Sequence, residues 1–174
     1  TEVVFICVNT PENPIDGSAD LKYVFGVAEE IAEKAKDNFV LVIRSTVPIG
    51  TNAEVKKLIK DKNPKLKFEI ASNPEFSKQG TALKDFLHPD RIIVGTETED
   101  TKEKVDELYK PITKDGYPIF FCNIETAELI KYASNAFLTT KIAFINELAN
   151  LCEKTGANVE ELAQAMGMDK RINP

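Results

Sequence analysis

An α/β fold is predicted for this chain, with a parallel sheet carrying helices on its faces and one long helix after it. Three observations predict it. Short, unbroken apolar runs recur along the first two thirds of the 174 residues. Segments with helical periodicity separate them, the alternation that builds parallel sheets. The stretch from Glu125 to Lys154 then runs without a single Pro or Gly.

Taken in order, Val3 to Val8 is continuously apolar, as strands buried on both faces are. A loop rich in turn residues follows, NTPENPIDGSAD. Asp20 is the expected N-cap of a helix whose inner stripe is Leu21, Val24, Ala28, Ile31 and Ala35. Phe39 to Ile43 is the second strand, ending in RSTVPIGT. Thr51 and Glu54 have the spacing of a capping box, opening a short helix with Val55, Leu58 and Ile59. Phe68 to Ala71 is the third strand, ending in SNPEF, and Ser77 to Phe86 has the composition of a short helix. Arg91 to Val94 and Pro118 to Cys122 complete the strands, with a helix from about Thr101 to Tyr109 between them. Past the long helix, Asn158 and Glu161 form a second capping box for a last short helix.

The long helix, at ~1.5 Å per residue, would run roughly 45 Å. It carries two apolar ridges: Leu138, Ile142, Ile145, Ala149 and Cys152, and Ala133, Phe137, Phe144, Leu148 and Leu151. So wide an apolar surface has to be covered on more than one side, by a second domain or a second subunit. Lys131 and Asn135, four residues apart, share one face of it.

Composition narrows the function. Hydrophobic residues at 43% and charged residues at 29% are those of an ordinary soluble protein. A net charge of −6 argues against nucleic acid or an anionic membrane as partner. No apolar run is long enough to span a bilayer. Cys7, Cys122 and Cys152 follow no metal or disulfide spacing; lying in apolar runs, they are expected to be buried and reduced, which suits the cytoplasm. The abrupt start at Thr1 and end at Pro174 suggest a segment of a longer protein.

In parallel sheets, ligands bind beyond the carboxyl ends of the strands. Three strands here end in polar tripeptides: Asn9-Thr10-Pro11, Ser45-Thr46-Val47 and Asn73-Pro74-Glu75. They read either as a ligand-binding edge or as ordinary turns, which favour the same residues. No GxGxxG or Walker A loop is present, so the pyrophosphate cradle of a dinucleotide site lies outside this sequence.

The segments FICVNTP, DGSADL, RSTVPIGT, SNPEFSKQGTALKDFLHPDRIIVG and ETAELIKYASNAFLTTKIAFINELANLCEKTGANV resemble the UDP-glucose/GDP-mannose dehydrogenase family. The resemblance covers nearly the whole chain in family order, and PDRIIVG looks more like the UDP-glucose 6-dehydrogenase branch. It implies a partial Rossmann-like parallel sheet with flanking helices over residues 1–123, the C-terminal half of an NAD-binding domain. Residues 124–174 would be the long central helix and the start of a small helical dimerisation domain.

The family oxidises the C6 alcohol of a nucleotide sugar to a carboxylate with two NAD, through a cysteine thioester. Carried over residue by residue, Lys131 and Asn135 would supply the donors that stabilise the alkoxide. Glu75 would be an acid/base and substrate contact. Thr46 would touch the nicotinamide and order a water. Asn9, Thr10, Pro11, Ser45, Thr46 and Gln79 would contact NAD, and Phe76, Lys78 and Gln79 would join Glu75, Lys131 and Asn135 around the sugar. The implied partners are UDP-glucose or a related nucleotide sugar, and a second copy through the 125–154 helix. No cysteine here matches the family's nucleophile and no metal is implied, so this segment alone is expected to be inactive. Gln79 replaces a usual Glu, Ser77 a usual Leu and Arg44 a common Lys. His88 reads as a loop residue. Two rivals stand beside this reading: a β-hydroxyacid dehydrogenase of the 6-phosphogluconate type, which also places Lys and Asn four apart on a helix, and a non-catalytic dimerisation module.

Overall fold

The computed structural model describes residues 1–36, 38–78 and 80–172. They form two compact units, Thr1–Lys131 and Tyr132–Pro174. The first unit holds a sheet of five strands in the order β1-β2-β3-β4-β5: β1 (Val3–Ile6), β2 (Phe39–Ile43), β3 (Phe68–Ser72), β4 (Ile92–Thr96) and β5 (Ile119–Cys122). Around it lie α1 (Lys22–Lys34), α2 (Thr51–Lys62), α3 (Ala82–Leu87), α4 (Glu99–Thr113) and the start of α5 (Ile124–Thr155). The rest of α5 and α6 (Val159–Gly167) make the second unit.

Alternation along β2 explains the layers. Phe39, Leu41 and Ile43 face one core with Val24, Ala28 and Ile31 of α1 and Val55 and Ile59 of α2. Val40 and Val42 face the other, with Val94 of β4 and Val105 and Tyr109 of α4. All five β2 residues are therefore buried, as a sheet covered on both faces requires.

β1, β2 and β3 are parallel, and so are β4 and β5, but β3 and β4 pair antiparallel through Ala71–Thr96 and Ser72–Gly95. The expected uniform direction fails at this joint. A parallel pair needs a crossover packed on the sheet. Among the described residues α3 is the only helix between β3 and β4, and it buries no residue. The chain turns back at the same edge instead.

Local expectations are corrected in three places. The N-cap of α1 is Leu21 rather than Asp20, with no side-chain cap, although Asp20 Oδ1 accepts from Lys22 N at 3.1 Å. Cys7 is exposed rather than buried, because β1 ends at Ile6 and leaves it at the open edge; Cys122 is half-buried and Cys152 buried. Thr51 and Glu54 form no capping box. α2 starts after Gly50 with no side-chain cap from its own loop, and the Thr51 hydroxyl donates to the Pro48 carbonyl at 2.7 Å. The second box does form its cap: Asn158 Oδ1 accepts from the N–H groups of Glu160 and Glu161.

α5 is seated on the sheet by Gly95. A Cβ there would lie 2.7 Å from Ile124 Cα, 2.8 Å from Ala127 Cβ and 2.9 Å from the Asn123 carbonyl oxygen. Two of these are backbone atoms with no rotamer to yield. Gly95→Ala is expected to destabilise the fold by about 1–3 kcal/mol, read as a lower urea midpoint at unchanged slope. An unshifted midpoint would show that the helix start is free to move.

Candidate functional site

The carboxyl ends of β1, β2 and β3 open onto one edge, where short hydrogen bonds stitch their loops together. The N–H groups of Arg44 and Ser45 donate to the Ile6 carbonyl. The Ser45 hydroxyl accepts from Val8 N at 2.9 Å and donates to Val8 O at 2.7 Å. Thr10 Oγ1 donates to the Thr46 carbonyl at 2.8 Å. Ser45 and Thr10, expected at the cofactor, thus spend their hydroxyls holding the two loops together.

A cleft at this edge is lined by Asn9, Thr10, Ser45, Thr46 and Glu75, and by Lys131 from the third turn of α5. Cys7 and Arg44 border it as well. No hydrogen bond to the Thr46 hydroxyl is found among the described residues. Pro11 follows on the loop and accepts a hydrogen bond from Asp20 N at 2.8 Å. A neighbouring cleft is lined by Glu75, Phe76, Lys78, Phe86, Arg91 and Tyr109, so Glu75 borders both. Asn135 follows Lys131 on α5 and is exposed, in the second unit. Gln79 lies outside the described residues. His88 sits in a loop, exposed, with its Nδ1 2.7 Å from the Tyr117 hydroxyl.

Two cations flank one ring. Lys131 Nζ lies 5.0 Å and Arg91 Cζ 4.3 Å from the centre of Phe76. Ring quadrupoles attract such cations, and more so when water is thinned out. Burial holds the Lys131 ammonium below its ordinary pKa; the Glu75 carboxylate pulls the other way, and the Arg91 charge adds to the lowering. Lys131 is thereby made readier to release a proton than a solvated lysine.

The sequence reading missed a network beneath Glu75. Arg44 Nη1 donates to Asn73 Oδ1 and to the Tyr109 hydroxyl, both at 2.8 Å. Tyr109 in turn donates to Asn73 Oδ1, and Asn73 Nδ2 donates to the Ile93 carbonyl at 2.8 Å. Asn73 is 1% exposed, so this network fixes the backbone two residues before Glu75. Tyr109 and Arg44 are 65 residues apart, and no local motif announces the pairing. Among the described residues no cluster of side chains could hold a metal ion.

A cleft at the carboxyl ends of parallel strands, with helices on both faces of the sheet, is the arrangement of the doubly wound α/β class. Residues 1–113 match the NAD binding domain of the UDP-glucose/GDP-mannose dehydrogenase family, and residues 125–174 match its central domain. The chain belongs to that family. It is 48% identical over 174 residues to a UDP-glucose 6-dehydrogenase of Rhizobium meliloti strain 1021, covering 99% of this chain and 40% of the relative. Among solved structures, a UDP-glucose dehydrogenase from Pyrobaculum islandicum superposes with a TM-score of 0.90 at 40% identity, over 99% of this chain and 40% of that one. A GDP-mannose dehydrogenase from Pseudomonas aeruginosa, in a ternary complex, gives 0.89 at 32% identity, over 97% and 39%. The chain thus spans about 40% of the length of these relatives.

Proposed function

We propose that this chain is the central part of an NAD-dependent nucleotide-sugar dehydrogenase that oxidises the C6 alcohol of UDP-glucose to the carboxylate. The observation that carries the reading is the convergence of Thr46, Glu75 and Lys131, from three elements, on one cleft. The neutral amide of Asn9 and the hydroxyls of Thr10 and Thr46 fit the nicotinamide end of the cofactor. The chain has no glycine loop for the pyrophosphate. NAD, when bound, would accept a hydride, and the conversion of alcohol to carboxylate takes two such molecules and one water.

The side chains of this chain serve the removal of the first hydride from the alcohol. Lys131 holds, and with its lowered pKa can take up, the alcohol proton as the C–H bond is cleaved. Its cation stabilises the oxygen as charge develops there. Asn135, one helical turn along α5, is the second donor by its spacing. Glu75 steadies the Lys131 charge and contacts the sugar with Phe76 and Lys78. The network of Arg44, Asn73 and Tyr109 holds the Glu75 strand end in place. Gln79 stands where the family usually has Glu and cannot accept a proton as a carboxylate does, so it is assigned to binding.

The partners are a nucleotide sugar and a second copy of the chain through α5. No helix among the described residues is long and apolar enough to cross a membrane. Calorimetric titration of NAD tests the reading. Thr46→Ala should weaken binding by about three- to tenfold, the loss of one hydrogen bond. Identical isotherms for the two proteins would refute the assignment.

A further inference from the structure

One buried charge is not used by this chemistry. Glu128, in the second turn of α5, is 2% exposed, and no salt bridge reaches it among the described residues. A buried carboxylate without such partners is costly unless hydrogen bonds replace its hydration. Here three do. Glu128 Oε2 accepts from Gly50 N at 2.7 Å, and Oε1 accepts from Asn52 N at 3.0 Å and from Asn52 Nδ2 at 2.6 Å. These donors are the N-terminus of α2, where the helix dipole favours a negative charge. Gly50 has φ +92° and no side chain to cap the helix, so the cap is supplied from 78 residues away.

Asn52 shows how strongly the carboxylate dictates local order. Its side chain is fully buried and turns Nδ2 to Glu128, which leaves Oδ1 as a buried atom with no hydrogen-bond partner among the described residues. An amide gives up a bond in this way only when the bond it keeps is the stronger one, as bonds to a charged group are.

We propose that Glu128 is a positioning residue: its carboxylate ties the loop that carries Thr46 to the helix that carries Lys131. Lys131 lies about one turn after Glu128, and Thr46 four residues before Gly50. Between Thr46 and Gly50 the chain has little freedom. Val47 is 4% exposed, and the Pro48 carbonyl accepts from Thr51 Oγ1 at 2.7 Å. A displacement at Gly50 is therefore passed to Thr46. The inference rests on reading Thr46 and Lys131 as parts of one site.

Glu128→Gln keeps the shape but sets an NH2 group against a backbone N–H, whichever way the amide is turned. Two measurements test the role. Hydrogen exchange of the chain should show faster exchange across residues 44–52 in Glu128→Gln, with β2 and β3 protected as in wild type. In the full-length enzyme, kcat should fall at least tenfold at a temperature where the variant is folded. Val105→Ala, a core change on the opposite face of the sheet, should keep its kcat at matched stability loss. Asn52→Ala removes only the side-chain bond and serves if Glu128→Gln does not fold; it should lower kcat two- to fivefold. Unchanged exchange across 44–52 overturns the proposal. So does unchanged kcat, or an equal loss in Val105→Ala. Faster exchange in a protein whose wild type oxidises no nucleotide sugar would sink the functional reading and leave the tie itself supported.

Discussion

Lys131→Ala is expected to lower kcat of the full-length enzyme by about a thousandfold or more, with a much smaller change in the KM for NAD. Removing a proton acceptor costs about 10²–10⁴ and removing an oxyanion donor about 10²–10³ in kcat. Lys131 is assigned both tasks at one oxygen, so the larger figure applies. Lys131→Arg should not rescue, because guanidinium does not release its proton near neutral pH and presents a planar fork in place of a compact ammonium. A lysine whose charged form is disfavoured should also react with amine reagents at lower pH than the surface lysines. The sign of a second change follows from the charges. The Glu75 carboxylate favours the ammonium, so Glu75→Gln should lower the Lys131 pKa further and move its labelling to still lower pH. Competitive labelling across pH, read by peptide mass, measures both shifts. A kcat within threefold of wild type would remove Lys131 from the chemistry.

The residues of this site differ in how readable they were, and the difference is physical. Thr46, Glu75 and Lys131 were legible as site candidates only through the family resemblance, because strand-end turns and a helix lysine read equally well as ordinary structure. The layers of the sheet were readable from the residues themselves: Phe39 to Ile43 is apolar at every position, and only a doubly covered strand tolerates that. What escaped was long-range. Glu128 reads locally as one more solvated helix glutamate; only the return of α5 over the α2 terminus turns it into a cap. The Thr51–Glu54 spacing suggested a local cap, and the distant carboxylate took its place. Arg44 meets Tyr109 only because α4 crosses behind β3 and β4. The reversal of β4 followed from what α3 fails to bury, and a short segment's packing is not written in its periodicity. Cys7 escaped by one residue, since the apolar run continues past the point where pairing stops.

The exposed flank of α5 carries the other large effect. Phe137, Leu138, Ile142, Phe144 and Leu151 are each 52–65% exposed. Phe137, Phe144 and Leu151 recur every seven residues on one ridge, while Leu138 and Ile142 stand one turn apart on the other. Large apolar side chains grouped on one helix mark a surface that is covered in the working protein. A second copy would supply a matching ridge, because a two-fold axis would bring the same patch against itself. The chain is therefore expected to be a dimer by light scattering at micromolar concentration. Phe137→Glu combined with Ile142→Glu should make it a monomer, raising the dissociation constant by more than about a thousandfold, since each change sets a charge in a desolvated apolar contact. Both side chains are exposed in the single chain, so the circular dichroism of the variant should stay that of wild type. A wild-type chain that scatters as a monomer would refute the self-pairing and assign these ridges to another part of the full-length protein.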